Sequence, residues 1–516
     1  MIDTNALRKK VLDLAIRGKL VPQDPNDEPA SVLLERIREE KQRLIKEGKI
    51  KKDKVDSIIF KGDDNCYYEK IGNSEPALLE NLPFEIPNSW HWVRFSSLIK
   101  VISGVSYDKH DVSNRGIRIL RGGNINNFNV SIEDDDVFLP DDYYDAEKQV
   151  QINDILIVAS TGSKLAIGKA GYVIRNLENT QIGAFLRIVR PLFEEVAEYA
   201  KIIFATNYYK EHILDSIRGS NINNLKNEHI SNLLIPLPPV EEQSRIIKYI
   251  KEIFELVDLI EQNQADYASL VEALKKAILQ SAIQGRLVEQ CEDDEPASIL
   301  LERIREEKRK QLGKKYVESY IYKGDDNRYY EKNGLESKEI TEEIPFYIPL
   351  SWEWSRASEC LLPMESKKPD GAYFRYIDID AIDNKKQIVK TPKIIETVKA
   401  PSRASRKLQT GDTLFSMVRP YLKNIAFIDE SLKDCIASTG FYVCKPDIML
   451  YPQYLFLLLT TSYFIDGVME FMKGDNSPSI RTEHLENMLI PIPPIKEQQR
   501  IVNAYNLTVS YIKDED

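Results

Sequence analysis

The stretch DEPASVLLERIREEK, from Asp27 to Lys41, returns at Asp294 to Lys308 as DEPASILLERIREEK, with one change, Val32 to Ile299. Ala30, Leu33, Leu34 and Ile37 fall on one face of a helix. An acid before Pro29 and before Pro296 predicts an N-cap with proline in the first turn. The charged positions between the apolar ones are repeated as closely as the apolar ones. A core alone does not require that, so the chain presents one surface twice.

The repeat extends outward. LRKKVLDLAIRGKLV (Leu7 to Val21) matches LKKAILQSAIQGRLV (Leu274 to Val288), and FKGDDNCYYEK (Phe60 to Lys70) matches YKGDDNRYYEK (Tyr322 to Lys332). FEIPNSWHWVRF (Phe84 to Phe95) matches FYIPLSWEWSRA (Phe346 to Ala357), and EHISNLLIPLPPVEEQSRI (Glu228 to Ile246) matches EHLENMLIPIPPIKEQQRI (Glu483 to Ile501). Between the last two matches, residues 96–227 and 358–482 diverge. Each half therefore joins near-identical connectors to a dissimilar insert.

After the PP pair, Ile246, Ile250, Ile253, Val257 and Ile260, then Tyr267, Val271, Leu274 and Ile278, step by fours and threes. This predicts one helix of about 45 residues, roughly 65 Å long, closed at Gly285. The second copy of that helix is cut. The C-terminus carries its first part and stops at Asp516, and the N-terminus resumes it through Leu7, Val11 and Leu14 with a gap of only a few residues. The expected layout is circularly permuted and pseudo-two-fold. The terminal helices should lie end to end and pair antiparallel with the helix at 239–285.

The inserts alternate short apolar runs with turn signals: IRILRGGNI and DILIVAST in the first, FRYIDIDAI and DTLFSMVRP in the second. Each then has a helical stretch (194–218; 452–473) and returns through LLIPLPP or MLIPIPP. The predicted class is α+β, with two α/β domains separated by long antiparallel coiled-coil-like helices in an internal pseudo-two-fold repeat. Its segments are 1–20 (one part of the cut helix), 21–83 (connector), 84–238 (first domain), 239–285 (long helix), 286–345 (connector), 346–493 (second domain) and 494–516 (the other part of the cut helix).

The net charge of −11 argues against nucleic acid as the partner, although it speaks only to the whole chain. Each insert is near neutral, however, and places cations among Ser, Asn and Gly on loops, the residue types that contact phosphates and base edges. In the first insert these are Arg115, Arg118, Arg121, Asn124, Ser160, Thr161, Ser163, Lys164, Asn221, Asn223 and Lys226. In the second they are Arg375, Lys399, Arg403, Arg406, Lys407, Arg419, Lys423, Asn476, Ser477 and Arg481.

Several classes are disfavoured. Five scattered cysteines and five scattered histidines show no metal spacing and suggest a reducing compartment. The apolar run Tyr454 to Leu459 is too short to span a bilayer, and no signal segment opens the chain. GSKLAIGKA (Gly162 to Ala170) misses the phosphate-loop pattern in glycine spacing and in its last residue. PLPP and PIPP lack the asparagine of an amino-methyltransferase motif, GDDN reads as a turn, and His229 and His484 read as structural. No catalytic or cofactor constellation stands out.

On the strand-like NDILIVAS and GDTLFSMV, the junctions IPLPPVEEQSRI and IPIPPIKEQQRI, and the helix ends AIRGKLV and AIQGRLV, the whole chain resembles the specificity subunit of type I restriction–modification systems. The resemblance implies two target recognition domains, each reading half of a bipartite double-stranded DNA sequence, and helices that set the gap between the halves. It implies docking of two modification (adenine methyltransferase) subunits, with restriction subunits in the full complex, a cytoplasmic location and no membrane. It implies a non-catalytic chain with no cofactor of its own, S-adenosylmethionine, ATP and Mg belonging to the partner subunits. The rivals are a protein-binding scaffold that never meets DNA, an enzyme with an unrecognised site, and a specificity subunit of a methylation-only system.

Overall fold

A computed structural model of the chain describes residues 1–48, 57–163, 166–217, 224–313, 317–448, 450–473 and 478–513. They divide into two compact units, Met1–Gln264 and Ala265–Asp516.

In the first unit, the helix Thr4–Ile16 starts at Asp3, whose carboxylate accepts from the Ala6 N–H at 2.9 Å. It packs Val11, Leu12 and Ala15 against Ile246, Ile250, Ile253 and Phe254 of the helix Val240–Ile283. Arg8 reaches Asp258 and Glu261, and Gln264 donates to the carbonyl of Ile2, so the two segments run antiparallel. The connector helix Ala30–Lys46 buries Ala30, Leu33, Leu34 and Ile37, the face expected from its spacing. The cap is Pro29 itself, one residue later than expected, with no side-chain bond. Ala30 donates instead to the carbonyl of Ser89 at 2.9 Å, and Glu28 pairs with Arg36.

The first insert holds a six-stranded sheet, in the order Ile99–Ser103, Leu186–Pro191, Ile155–Val158, Ala170–Tyr172, Phe128–Val130, Ile125–Asn126. A smaller sheet runs Thr180–Ile182, Ile117–Leu120, Val137–Leu139. The helices Glu194–Ala205 and Asn207–Ser216 bury Tyr199, Ile203, Phe204 and Tyr209 against the larger sheet. The strand Leu234–Leu237, which leads to the PP pair, pairs antiparallel with His91–Arg94.

The second unit is built likewise. Ala282 and Ile283 pack into one core with Ile501 and Val502 of the helix Ile495–Lys513. The connector helix is Ala297–Leu312, and Leu489–Ile492 pairs with Glu353–Arg356. The second insert has a four-stranded sheet (Leu361–Leu362, Phe441–Pro446, Thr413–Ser416, Ile425–Phe427) and another (Lys393–Glu396, Tyr373–Ile377, Ile436–Ser438, Ala404–Lys407).

The expected long helix is present as 44 residues. It closes at Gly285, whose φ of +70° lets the Arg286 N–H donate back to the Ser281 carbonyl at 2.9 Å. A Cβ there would sit 2.4 Å from Pro349 Cγ, and one at Gly18 would sit 2.4 Å from Pro87 Cγ. The spacing rule overreached in one respect. Ile246, Ile250, Val257 and Ile278 are buried, but Tyr267 and Leu274 are exposed.

The repeated connector residues form the same hydrogen-bonded knot in each unit. Glu242 accepts from Trp90 Nε1 at 2.9 Å and from Gln23 at 2.6 Å; Glu497 accepts from Trp352 Nε1 at 3.0 Å and from Gln290 at 2.6 Å. Arg245 pairs with Asp27 and Arg500 with Asp294. Arg94 grips Glu69 and the Asn232 carbonyl; Arg356 grips Glu331 and the Asn487 carbonyl. The GDDN segments are turns. Asp64 and Asp326 each accept from a backbone N–H two residues on and from a tyrosine hydroxyl, and Asn65 and Asn327 take positive φ.

Candidate nucleic-acid interface

In each insert a fully buried strand, Ile155–Val158 or Thr413–Ser416, ends in a loop where distant segments converge. In the first, Leu225 donates to the Ala159 carbonyl at 2.7 Å, and Ala159 and Ser160 donate to the Phe185 carbonyl. Ser160, Thr161, Asn224 and Lys226 are thereby gathered at one end of the sheet. In the second, Ile480 donates to the Met417 carbonyl, Met417 to that of Gly440, Thr439 to that of Arg403, and Arg419 to that of Pro478. Ser479 bridges both Val418 and Lys473. Arg403, Arg419, Lys473 and Arg481 therefore stand on one backbone network. Asn384 donates to the Leu422 carbonyl at 2.9 Å, which brings the exposed Lys385 and Lys386 to the same loop. Those two lysines were missed in the sequence, although the run NKK held the signal.

Lys226 and Arg481 occupy matched places, each preceding a short helix. His229 Nδ1 accepts from the Lys226 N–H and His484 Nδ1 from the Arg481 N–H, so both histidines cap turns. Arg115 and Ser163 are exposed, and Arg115 and Arg403 have no ion-pair partner among the described residues. Lys164, Asn221, Asn223, Asn476 and Ser477 lie outside the described residues.

Other cations are already engaged. Arg118 pairs with the buried Asp136 at 2.7 Å and stacks over Phe138, and Arg121 bonds Asp135 and its carbonyl. Asn124 is a correction. It is 2% exposed; its Oδ1 accepts from the Arg121 N–H and its Nδ2 donates to the Ser131 carbonyl and to Asp136, so its amide is turned inward and away from a base. Burial opposes ionisation of Asp136, yet the bonds from Asn124 and Arg118 hold its carboxyl low. Arg375 donates to the Ser431 carbonyl, Lys399 pairs with Glu396, and Lys407 pairs with Glu365. Arg406 is half-buried, and its Nε has no partner among the described residues.

The loop after Ser416 is unusual. Arg419 (φ 49°) and Lys423 (φ 55°) are both left-handed and flank the short turn Pro420–Leu422. Non-glycine residues held there cost roughly 1–3 kcal/mol each.

Beneath the loops, the two strands carry their acids differently. Asp154 is bound by Arg190 through two contacts at 2.8 Å. At the matched place Lys445 turns to Glu365 instead. Asp412 keeps a bond from the Gln409 N–H at 2.7 Å and no ion pair among the described residues, and burial pushes its pKa up to about 6. A folded pKa above the unfolded one gives stability that is present below about pH 4 and lost as pH climbs through about 6. Lys445, Lys407 and Glu365 face the group and modulate it. The penalty at pH 7.5 is up to about 3 kcal/mol. Asp412→Asn should therefore raise the melting midpoint of the second unit by several degrees at pH 7.5 and by about a third as much at pH 4.5. Equal shifts at both pH values would refute the assignment.

As for metals, Asp108, His110 and Asp111 place ligand atoms within 4.8 Å of one another on the surface. Asp111 already accepts the Asp108 N–H, which explains the cluster as a turn.

A family model described as "Type I restriction modification DNA specificity domain" matches residues 87–266 and 362–504, well over half the chain. The chain belongs to the type I restriction modification DNA specificity family. It is 26% identical over 566 aligned residues to the type I restriction enzyme EcoAI specificity subunit of Escherichia coli, covering 96% of this chain and 87% of that one. To the EcoEI specificity subunit of the same organism it is 24% identical, over 96% of this chain and 88% of the other. Among solved structures, the HsdS subunit from Thermoanaerobacter tengcongensis aligns at 35% identity over 33% of this chain and 45% of that chain, with a TM-score of 0.32. The S subunit from M. genitalium aligns at 14% identity over 84% and 94%, with a TM-score of 0.28. No helix among the described residues of this family member is long and apolar enough to cross a membrane.

Proposed function

We propose that this chain is the DNA-recognition subunit of a type I restriction–modification complex, reading an asymmetric bipartite target with residues 84–238 and 346–493 and docking two modification subunits. The observation that carries this is the pairing of a matched connector knot (Trp90–Glu242–Gln23 and Trp352–Glu497–Gln290) with inserts whose loop ends carry unlike residues. A repeated connector serves a partner that binds twice, and unlike inserts serve two unlike half-sites. The length of the helix Val240–Ile283 then sets the gap between the half-sites. The chain itself performs no chemistry. S-adenosylmethionine, ATP and Mg act in the partner subunits, in the cytoplasm.

The test is to co-express the chain with its modification subunit and map methylated adenines by single-molecule sequencing. A split motif with two unlike halves, lost on deleting the chain, is expected. Replacing residues 84–238 by another family member's insert should change one half and leave the other intact. An assembled, active complex that methylates no split motif would favour a protein-binding scaffold.

A further inference from the structure

The turn Pro420–Leu422 holds Tyr421 at 42% and Leu422 at 39% exposure, beside Arg419 and Lys423. Phosphate contact explains the two cations and leaves the apolar pair between them unexplained. The pair fills no core: neither residue belongs to a hydrophobic cluster of the second insert. Nor is the loop slack. Leu422 donates to the Arg419 carbonyl at 2.9 Å, Lys423 to that of Pro420 at 2.9 Å, and Arg419 to that of Pro478 at 2.8 Å. Ser416 Oγ donates to the Val418 carbonyl, and Asn384 holds the Leu422 carbonyl. Glycine would adopt the positive φ at 419 and 423 without strain, yet both positions carry cations.

A rigid knuckle with an apolar tip and a cation at each base fits a nucleic-acid groove. Cations neutralise phosphates on the rims, and an aromatic and an aliphatic side chain meet the apolar edge of bases, the thymine methyl above all. Pre-organisation spares the ordering cost of binding. The first insert offers its own exposed aromatic at the matched end of its sheet, Phe185 at 68%, on a different turn closed by the Leu186 N–H to the Gly183 carbonyl. Different tips on matched scaffolds suit different half-sites.

We infer that Tyr421 and Leu422 form the base-contacting tip of the second insert, with Arg419 and Lys423 on the flanking phosphates. The inference rests on the DNA-recognition reading above. It is tested in the complex with the modification subunits, on a duplex bearing the motif that methylation mapping identifies. Tyr421→Ala and Leu422→Ala should each weaken binding at least ten-fold with the slope of log affinity against log salt unchanged. They should relax methylation only in the half read by the second insert. Lys423→Ala should lower that slope by about one. Lys423→Gly should weaken binding equally while raising the melting midpoint by a few degrees, which separates function from folding. If both tip variants bind within two-fold of the parent and keep its motif, the inference fails while the recognition reading stands. If the parent complex binds no specific duplex, the reading itself fails.

Discussion

Replacing Glu497 by alanine is expected to lower the melting midpoint of the second unit by roughly 10 °C. Glu497 is 1% exposed, and both carboxylate oxygens are used, by Trp352 Nε1 at 3.0 Å and Gln290 Nε2 at 2.6 Å. Alanine leaves the buried indole N–H without an acceptor, while the exposed Gln290 amide keeps the Gly285 carbonyl and water, so the loss is about 3 kcal/mol. A unit of this size loses about 2–4 °C per kcal/mol. Glu242→Ala should do the same to the first unit, since its partners are Trp90 and Gln23. Burial raises the Glu497 pKa despite those bonds. The raised folded value means that the carboxyl contributes most when protonated and that this contribution fades as pH rises. Glu497→Gln, which keeps an acceptor for one donor, should therefore cost less than half of the alanine loss, and least at high pH. A midpoint for Glu497→Ala within 2 °C of the parent would show that the knot does not hold the unit.

That knot also marks the limit of what the sequence discloses. The doubling of PPVEEQ and PPIKEQ announced a junction, because identical residues beside unlike ones demand a common role. That Glu242 and Glu497 are buried, rather than charges on a solvated first turn, depends on Trp90 and Trp352 arriving from turns 145 or more residues away. The long helix was legible from its spacing. Which of its apolar residues face a neighbour was not, since Tyr267 and Leu274 share the seam and are exposed. In the inserts, residue type marked the loops but not the pairing. Arg118 and Asp136 meet because the strands Ile117–Leu120 and Val137–Leu139 align Arg118 with Phe138, and one residue of register would have left the arginine outside. Tyr421 and Leu422 were passed over because apolar residues beside a strand read as core. The positive φ of Arg419 and Lys423 has no sequence signal, glycine being the usual mark.

The largest effect on DNA should come from the second insert's cations. Arg403 and Lys473 are exposed without ion-pair partners among the described residues, and Arg481 makes an exposed contact with Glu483 at 3.3 Å. Backbone bonds fix all three on one network, so they meet a duplex together. Each phosphate neutralised releases counterions and contributes about 0.9 to the salt slope. Substituting all three by alanine should flatten the slope by about 2.5 and weaken the complex about 10²-fold at 0.15 M salt. Binding at molar salt should change little, because base contacts remain. Arg118→Ala should behave in the opposite way. It strips the buried Asp136 of its cation, so the first unit should lose about 2–4 kcal/mol of stability while the slope stays as it was. The net charge of −11 sets the frame for both results. At that net charge the isolated chain should bind its target weakly at physiological salt, and the modification subunits should supply most of the electrostatic grip. Filter binding over a salt series, with and without those subunits, reads all three quantities. A triple variant whose slope matches the parent's would place the phosphate contacts elsewhere.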